Sequence, residues 1–476
     1  MAEKIGVIVR ADSGPGLLHH SAGRRAAACG HGDGHRRHRQ GLGGPAQAET
    51  VLTAVTAKIT RRLIPYLFLC YIVNYLDRFN ISFAALEMKA DLGLGDAVYG
   101  LGAGMFFVGY VTFEIPSNLI LQRLGARWWL ARIMVTWGAL SCCMMFVRTP
   151  VSFYVLRFLL GLAEAGFLPG MIFYLTHWIP ARDRAGVFAL FLTSTALAGV
   201  VGGPVSAALL TLRGLGGLAG WQWLFLVEGL PAVLLGVTTL FYLPDHPAEA
   251  RWLSEPEQAW LEDTLRAERR ALEQTHRLTL WQALTHGRVW RLCLLYFSTI
   301  IGFYGVAFWL PQIVQSFSGL SNAETSLISA LPYLAASVGM VLIARHADRT
   351  GEKRRHVAFP AFAAAAGLVL GALVQRYPVA AFLALCLSAT GIWSTLGPFW
   401  SLPTTFLTGT AAAGGIALIN SVGNIGGFVG PTVVGLLRER THRFESGLLV
   451  LAAALLVAGA LALSLREDSR PGGGGS

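Results

Sequence analysis

The chain has 476 residues, of which 54% are hydrophobic and 14% are charged, and its mean hydropathy is +0.53. Soluble domains are about 25% charged, so this composition excludes a protein whose whole surface faces water. The net charge of +11 does not indicate a nucleic-acid-binding protein. The basic residues form short clusters between apolar runs, whereas nucleic-acid binding would require a continuous basic face. Such clusters are typical of the cytoplasmic loops of membrane proteins.

The two ends of the chain differ from the rest in composition. Residues 1–57 are rich in Gly, Arg, His and Ala, and we predict that they form a disordered cytoplasmic tail. Residues 467–476 end in a Gly-rich stretch that is typical of a C-terminal tail or flexible linker.

Twelve apolar runs, each long enough to cross a bilayer, predict an all-α membrane protein with twelve transmembrane helices. The predicted spans fall in two sets of six, in an N-terminal bundle over 58–243 and a C-terminal bundle over 289–466. Their approximate bounds are 63–86, 98–121, 129–148, 151–176, 185–212, 221–243, 289–314, 323–345, 356–375, 379–401, 411–437 and 447–465. The polar stretch 244–288 between the bundles is a predicted cytoplasmic loop, in which Ser254 caps a surface helix.

The basic loops predict the orientation. They precede the first span and follow the second, fourth and eighth spans, so all lie on one side if both termini are cytoplasmic. The exception is a cluster after the eleventh span, formed by Arg438, Arg440 and Arg443.

A loop motif occurs twice and indicates an internal duplication. Gln122-Arg123-Leu124-Gly125-Ala126-Arg127 follows the second span, and Asp348-Arg349-Thr350-Gly351-Glu352-Lys353 follows the eighth, 226 residues later.

The second copy of this motif resembles the cytoplasmic-loop signature of the major facilitator superfamily. Further motifs are similar to one branch of it, the anion:cation symporters, and most like bacterial tartrate-type organic-acid permeases. These are Asn74-Tyr75-Leu76-Asp77-Arg78, Phe113-Glu114-Ile115-Pro116-Ser117-Asn118, the stretch Arg157–Gly166, Tyr174–Trp178 and Trp221–Pro231. The resemblance implies two pseudo-symmetric six-helix bundles, alternating access and coupling to protons.

Four charged residues lie where the bilayer centre is expected. At 1.5 Å per residue, Asp77 is about 21 Å from the inner end of the first span, and Arg78 follows it. On the same basis Arg157 and Glu164 are about 9 Å and 20 Å from the outer end of the fourth span. Ionisable groups at this depth usually face a cavity and have a function, although a neutral network of two acids and two bases can also be purely structural.

The chemistry of these residues suits anion binding and proton coupling. A guanidinium offers a permanently charged fork to a carboxylate, so Arg78 and Arg157 are predicted to bind substrate. A buried carboxyl that gains and loses an arginine neighbour changes its proton affinity. We expect Glu164 first and Asp77 second to carry the coupling proton.

Other polar residues in the spans are predicted to complete the site. Tyr110 resembles the cavity tyrosine of the family, and Ser394, Thr395, Asn420 and Asn424 can hydrogen-bond substrate hydroxyls or link helices. A cytoplasmic gate is predicted from a second group, namely Asp348, Arg349, Arg123 and Glu114.

These observations predict a secondary transporter that imports an organic anion, namely a tartrate-like hydroxy-dicarboxylate, a sugar acid or an aromatic acid, by proton symport. The expected location is the bacterial inner membrane, and the expected state is a monomer. Neither an ATP-binding loop nor a protease or hydrolase motif is found, so no enzymatic activity, cofactor or metal is expected. The alternatives are a membrane sensor for the same ligands and a sodium-coupled symporter.

Overall fold

The computed structural model describes residues 45–274, 285–403 and 409–465. The chain separates into two compact units, Met1–Ala54 and Val55–Ser476, and the packing described below belongs to the second unit. In the described ranges all regular elements are helices.

Fifteen α-helices are described, with three short 3₁₀ turns between them. They are α1 (Pro45–Leu92), α2 (Asp96–Leu124), α3 (Ala126–Cys143), α4 (Pro150–Glu164), α5 (Phe167–Leu175), α6 (Ala181–Leu210), α7 (Gly220–Tyr242), α8 (Glu255–Gln274), α9 (Gly287–Ser318), α10 (Asn322–Ile328), α11 (Ala330–Thr350), α12 (Lys353–Leu373), α13 (Pro378–Ser401), α14 (Gly409–Thr441) and α15 (Glu445–Ser464).

Eleven candidate spans in the described part of the chain are long and apolar enough to cross a membrane. Helix α1 is not among them, and it contains the polar residues Asn74, Asp77, Arg78 and Asn80 near its middle, all of them buried. Counting α1 gives the predicted twelve spans, because α4 with α5 and α10 with α11 each form one span.

Helix α1 extends into the predicted N-terminal tail. Its described part starts at Pro45, so residues 45–57 are helical; residues 1–44 lie outside the described ranges, and the disorder predicted for them stays a prediction. The local sequence explains this, because Pro suits the first helical turn and the following residues include several alanines, the best helix formers.

Two predicted helix boundaries also differ. The fourth span is interrupted between Glu164 and Phe167, where Gly166 adopts a left-handed conformation with φ 87°. The eighth span continues to Thr350, so Asp348 and Arg349, predicted to lie in a loop, occupy the last turn of α11.

The helices pack as two sets, α1–α7 and α9–α15. In the first set α2 packs on α4 and α3 on α7, and in the second set α12 packs on α13 and α15. The two sets meet where α2 contacts α14 and where α6 contacts α10 and α11. The division of the chain at 244–288 stays a prediction, because both sets belong to one compact unit, Val55–Ser476.

Glycines allow α2 and α14 to approach closely. A Cβ atom on Gly100 would lie 2.5 Å from the carbonyl oxygen of Pro431, and one on Gly104 would lie 2.8 Å from Oγ1 of Thr432. Small residues at such crossings permit backbone contact in membrane helices, so the two sets are held together along this pair.

Ion pairs join the two sets at the end of the bundle that holds the α1–α2 turn, which we call the closed end. Asp96 of α2 pairs with Lys89 of α1 and, at 3.2 Å, with Arg438 of α14. Gln312 of α9 accepts a hydrogen bond from Lys89 at 3.0 Å. Arg438, the exception in the orientation argument, therefore belongs to a contact between the two sets.

Helix α8 is amphipathic and lies outside the spans, as predicted. Its first turn is stabilised by Glu257, which accepts a hydrogen bond from the backbone N–H of Ser254 at 2.8 Å. Lys58 lies 3.0 Å from the same carboxylate. Both contacts hold the pKa of Glu257 below its ordinary value, the backbone hydrogen bond more strongly.

Candidate functional site

One face of α1 provides the polar wall of a central cavity. Tyr71, Asn74, Tyr75 and Arg78 all line it, and their spacing of three, four and seven residues places them on one side of a helix. Asn74 and Arg78 therefore share this face, and Asp77 does not.

The cavity lies between the two sets of helices. Besides the four α1 residues, its lining combines aromatic, polar and apolar side chains from both sets, namely Tyr110, Phe167, Leu168, Leu192, Thr195, Tyr296, Ile300, Phe303, Tyr304, Leu396, Trp400, Asn420 and Asn424.

A buried ion pair lies at the wall of this cavity. The Nη2 of Arg78 donates to Oε1 of Glu164, and Nη1 donates to the hydroxyl of Tyr304 at 2.7 Å. Arg78 is 7% exposed and Glu164 1%. The guanidinium carbon lies within 6.0 Å of four ring centroids, those of Tyr75, Phe106, Tyr110 and Tyr304. One guanidinium thus links α1 and α4 of the first set to α9 of the second.

Close backbone contact between α2 and α4 positions Glu164. A Cβ atom on Gly161 would lie 1.8 Å from the carbonyl oxygen of Phe106, and one on Gly109 would lie 2.1 Å from that of Phe158. No other residue fits at these positions without moving a helix. The contact brings Glu164, less than one turn beyond Gly161, toward Arg78.

The helix break after Glu164 is held by a side chain of α2. Ser117 Oγ donates to the carbonyl oxygen of Ala165 at 2.6 Å, and Trp129 Nε1 donates to Ser117 Oγ at 2.9 Å. A Cβ atom on Gly166 would lie 2.3 Å from this hydroxyl. The carbonyl group freed by the break is therefore hydrogen-bonded, as buried backbone in a membrane requires.

Asp77 points away from the cavity, as expected from the rotation of about 100° between adjacent helical residues. It accepts hydrogen bonds from Trp137 Nε1 at 2.8 Å, from Asn80 Nδ2 at 2.9 Å and from Ser141 Oγ. Trp137 and Ser141 belong to α3, so Asp77 ties the first span to the third. Its predicted role in proton coupling stays a prediction.

Arg157 does not line the cavity. It is completely buried, and its Nη2 donates to the carbonyl oxygen of Ala103 at 3.2 Å, while Nε and Nη1 have no hydrogen-bond partner among the described residues. Its guanidinium carbon lies 5.1 Å from the ring centroid of Phe106. The predicted contact of Arg157 with substrate stays a prediction.

The structure divides the other predicted binding residues into two groups. Tyr110, Asn420 and Asn424 line the cavity. Ser394 and Thr395 do not; both are buried in α13, where Thr395 Oγ1 donates to the carbonyl oxygen of Ile392 at 2.6 Å. Their role in binding stays a prediction.

The four predicted gate residues are not brought together. Glu114 is buried between the two sets, where it accepts hydrogen bonds from Asn420 Nδ2 and, at 2.9 Å, from Ser421 Oγ. Asp348 is exposed and pairs with Lys353. Arg123 and Arg349 are exposed at the ends of α2 and α11.

Several lining residues were missed because tyrosine and tryptophan within apolar runs are not distinctive. Tyr296, Tyr304 and Trp400 are the main examples, and Tyr304 contacts Arg78 directly. Helical spacing was an available signal for these residues. Tyr296 and Tyr304 are eight residues apart, slightly more than two helical turns, so they lie near the same side of α9. Among the described residues no group of three or more His, Cys, Asp or Glu side chains is placed to hold a metal ion.

Two helical sets that enclose a polar cavity with a buried ion pair, all within a bundle of membrane-spanning helices, define a polytopic membrane transporter. Sequence comparison is consistent with this class, since the model of the Major Facilitator Superfamily matches residues 67–431. The chain belongs to the Major Facilitator Superfamily. It is therefore a multi-pass membrane transporter and not an enzyme, and the predicted fold class is confirmed.

Relatives with high sequence identity extend over most of this chain. An Agrobacterium vitis protein named "Putative tartrate transporter" is 50% identical over 87% of this chain and 92% of its own length. The Acinetobacter baumannii "Quinolone resistance transporter" is 43% identical over 84% and 92%. The Escherichia coli "Inner membrane transport protein RhmT" is 40% identical over 88% and 96%.

Solved structures of the same fold are more distant in sequence. A bacterial homologue of the human lysosomal transporter Spinster, in an inward-facing and occupied conformation, aligns with a TM-score of 0.69 at 16% identity, over 84% of this chain and 95% of that one. The Escherichia coli xylose transporter XylE, in a partially occluded inward-open conformation, aligns with a TM-score of 0.64 at 17% identity, over 83% and 96%.

Proposed function

We propose that this protein imports an organic anion together with a proton across a bacterial inner membrane, by alternating access of the central cavity to the two sides. We further propose that it acts as a monomer with both termini in the cytoplasm. The observation that carries the proposal is the buried pair of Arg78 and Glu164 at the cavity wall.

The ion pair suggests how binding of the anion depends on binding of the proton. Arg78 is the group that a substrate carboxylate would bind, because a guanidinium binds a carboxylate through parallel hydrogen bonds. Glu164 already occupies one side of that guanidinium. Protonation of Glu164 removes its negative charge and releases Arg78 for the substrate. Binding of the anion is then favoured only when the proton is also bound.

Two unpartnered donors in the cavity support an anionic ligand. Arg78 Nε and Asn74 Nδ2 are buried and have no hydrogen-bond partner among the described residues. Buried donors without partners are costly, and both residues line the cavity. A carboxylate or hydroxyl oxygen in the cavity would satisfy them.

The names of relatives support an organic acid as the substrate and the inner membrane as the location. Two relatives from Agrobacterium vitis are named for tartrate, and the one from Escherichia coli is named as an inner membrane transport protein. A relative of similar identity is named for quinolone resistance, so the argument for an anion rests on the cavity and its guanidinium.

The test is uptake by the purified protein in proteoliposomes with an imposed pH gradient. A panel of hydroxy-dicarboxylates, sugar acids and aromatic acids should include at least one that accumulates when the gradient is inward and not when it is collapsed. Glu164→Gln should abolish this accumulation but retain exchange of internal for external substrate, because the glutamine imitates the protonated acid permanently.

A matched control is Glu262→Gln on α8, which removes only a surface ion pair with Arg266 and should leave uptake unchanged. Accumulation driven by a sodium gradient and not by protons would contradict proton coupling. Binding without any flux would indicate a sensor. Loss of exchange as well as accumulation in Glu164→Gln, with the protein still folded, would contradict the coupling role of Glu164.

A further inference from the structure

The described lining of the cavity offers a single positive charge to a ligand. Among the described residues that line it, Arg78 is the only Lys, Arg, His, Asp or Glu side chain. The other polar lining groups are hydroxyls, amides and an indole. Within the described lining, the recognition of charge therefore rests on one guanidinium.

Acidic side chains flank this guanidinium and add no positive charge. Glu164 pairs with Arg78. Glu114, one turn from Tyr110 on α2, is 3% exposed and is bonded to Asn420 of the cavity wall. Because Glu164 is protonated in the proposed loaded state, Arg78 is balanced by one carboxylate; a second carboxylate in the ligand would have no cation of its own, and an uncompensated buried charge costs several kcal/mol.

Arg157, a second buried guanidinium close to the ring of Phe106, does not line the cavity. The guanidinium carbons of Arg78 and Arg157 lie 5.0 and 5.1 Å from the same ring centroid, that of Phe106. Arg157 is 0% exposed and does not line the cavity. Arg157 therefore adds no positive charge to the described lining of the cavity.

From this charge distribution we infer that the transported species is a monoanion, with one carboxylate on Arg78 and an uncharged polar or aromatic remainder. The inference rests on the proposed function and narrows it to hydroxy or aromatic monocarboxylates. A dicarboxylic acid would enter in its singly ionised form. Tyr71, Tyr296 and Trp400 supply ring faces for the remainder, and Asn74 and Asn424 supply amides for its oxygens.

Two ligands of nearly equal shape test the inference directly. Tartrate has two carboxylates that are both ionised at pH 7.5, since ordinary carboxyl pKa values are about 4, whereas its monoamide has one. Isothermal titration of the full-length protein in detergent should give at least about tenfold tighter binding of the monoamide. As the pH is lowered, this ratio should fall, because tartrate acquires its first proton. Protonation of Glu164 also changes with pH, but it affects the binding of both ligands and therefore cancels in the ratio.

An added cation should reverse the preference. Asn424→Lys places an ammonium in the cavity lining and should favour tartrate over its monoamide, whereas Asn424→Gln, which stays neutral, should keep the order found in the unmodified protein. Galactonate, with one carboxylate, and galactarate, with two, repeat the comparison on a longer ligand.

The outcomes separate this inference from the proposed function. If the unmodified protein binds tartrate at pH 7.5 as tightly as the monoamide, or if galactarate is preferred to galactonate, the monoanion inference is wrong and proton-coupled anion transport still stands. If Asn424→Lys folds and does not change the order, the argument from cavity charge fails. If no carboxylate of any kind binds or is transported, the proposed function itself is wrong.

Discussion

The substitution Arg78→Lys tests whether the guanidinium fork binds the substrate. Lysine keeps the charge but has one compact ammonium in place of two parallel N–H groups. In the structure Arg78 uses Nη2 for Glu164 and Nη1 for Tyr304, and an ammonium cannot span both directions with the same geometry. We therefore expect the variant to lose at least one charge-assisted hydrogen bond to the substrate.

The expected magnitude follows from that loss. A hydrogen bond to a charged group is worth about 1.5–3 kcal/mol, and about 1.4 kcal/mol corresponds to a tenfold change in Kd. The Kd of the transported anion should therefore rise by roughly 10- to 150-fold, as measured by isothermal titration with purified protein. Arg127→Lys, which lies outside the cavity and pairs with Asp245 at 3.2 Å, is the control and should leave Kd unchanged. A Kd for Arg78→Lys equal to that of the control would refute carboxylate recognition by Arg78.

Three further predictions concern the contacts that hold the site. Tyr304→Phe removes the acceptor for one N–H of Arg78 and should lower the free energy of unfolding by about 1.5–3 kcal/mol, seen as a lower Tm in detergent. Gly161→Ala forces a methyl group against a backbone carbonyl oxygen at 1.8 Å and should destabilise by about 1–3 kcal/mol or more, whereas Gly371→Ala, with its nearest contact at 3.8 Å, should express normally. Asp96→Asn removes two ion pairs at the closed end and should increase hydrogen–deuterium exchange at the adjoining ends of α2 and α14; unchanged exchange would show that these pairs do not hold that end closed.

Much of the fold could be predicted because membrane spans are defined by length and apolar composition. The interruptions and extensions of these helices could not be predicted in this way. The interruption at Gly166 lies within an unbroken apolar run, so hydropathy does not register it, and only the conformation at φ 87° and the contact with Ser117 reveal it. The extension of α1 over residues 45–57 depends on helix propensity in an Ala- and Thr-containing segment, which a hydropathy criterion does not detect.

The site was predictable to the extent that charge in the bilayer is rare. Asp77, Arg78, Arg157 and Glu164 are all buried, as expected. Their partners were not predictable, because these depend on the rotation and separation of neighbouring helices. Glu164 pairs with Arg78 of another helix and not with Arg157 of its own face, and the close approach at Gly161 sets that geometry.

The proposed mechanism makes a final prediction from the balance of charge in the cavity. Empty, the cavity contains the neutral pair Arg78 and Glu164; loaded, it would contain Arg78, a monoanion and protonated Glu164, which is again neutral. The two partly loaded states carry a net charge, and charge within the bilayer is costly. Only the empty and fully loaded forms should therefore switch readily between the two sides of the membrane. The anion and the proton must then be transported together.

Such a cycle moves no net charge, so its rate should not depend on membrane potential. If one charge moved in the rate-limiting step, 100 mV would contribute up to about 2.3 kcal/mol, roughly fiftyfold in rate. Uptake of a monoanion into proteoliposomes, clamped at 0 mV or at an inside-negative potential with potassium and valinomycin, should proceed at the same initial rate. A marked acceleration at the negative potential would mean that a second proton moves with the anion. Asp77, which contacts α3 and not the cavity, would then be the acid to test by substitution with asparagine, because removal of a second proton site should restore independence from the potential.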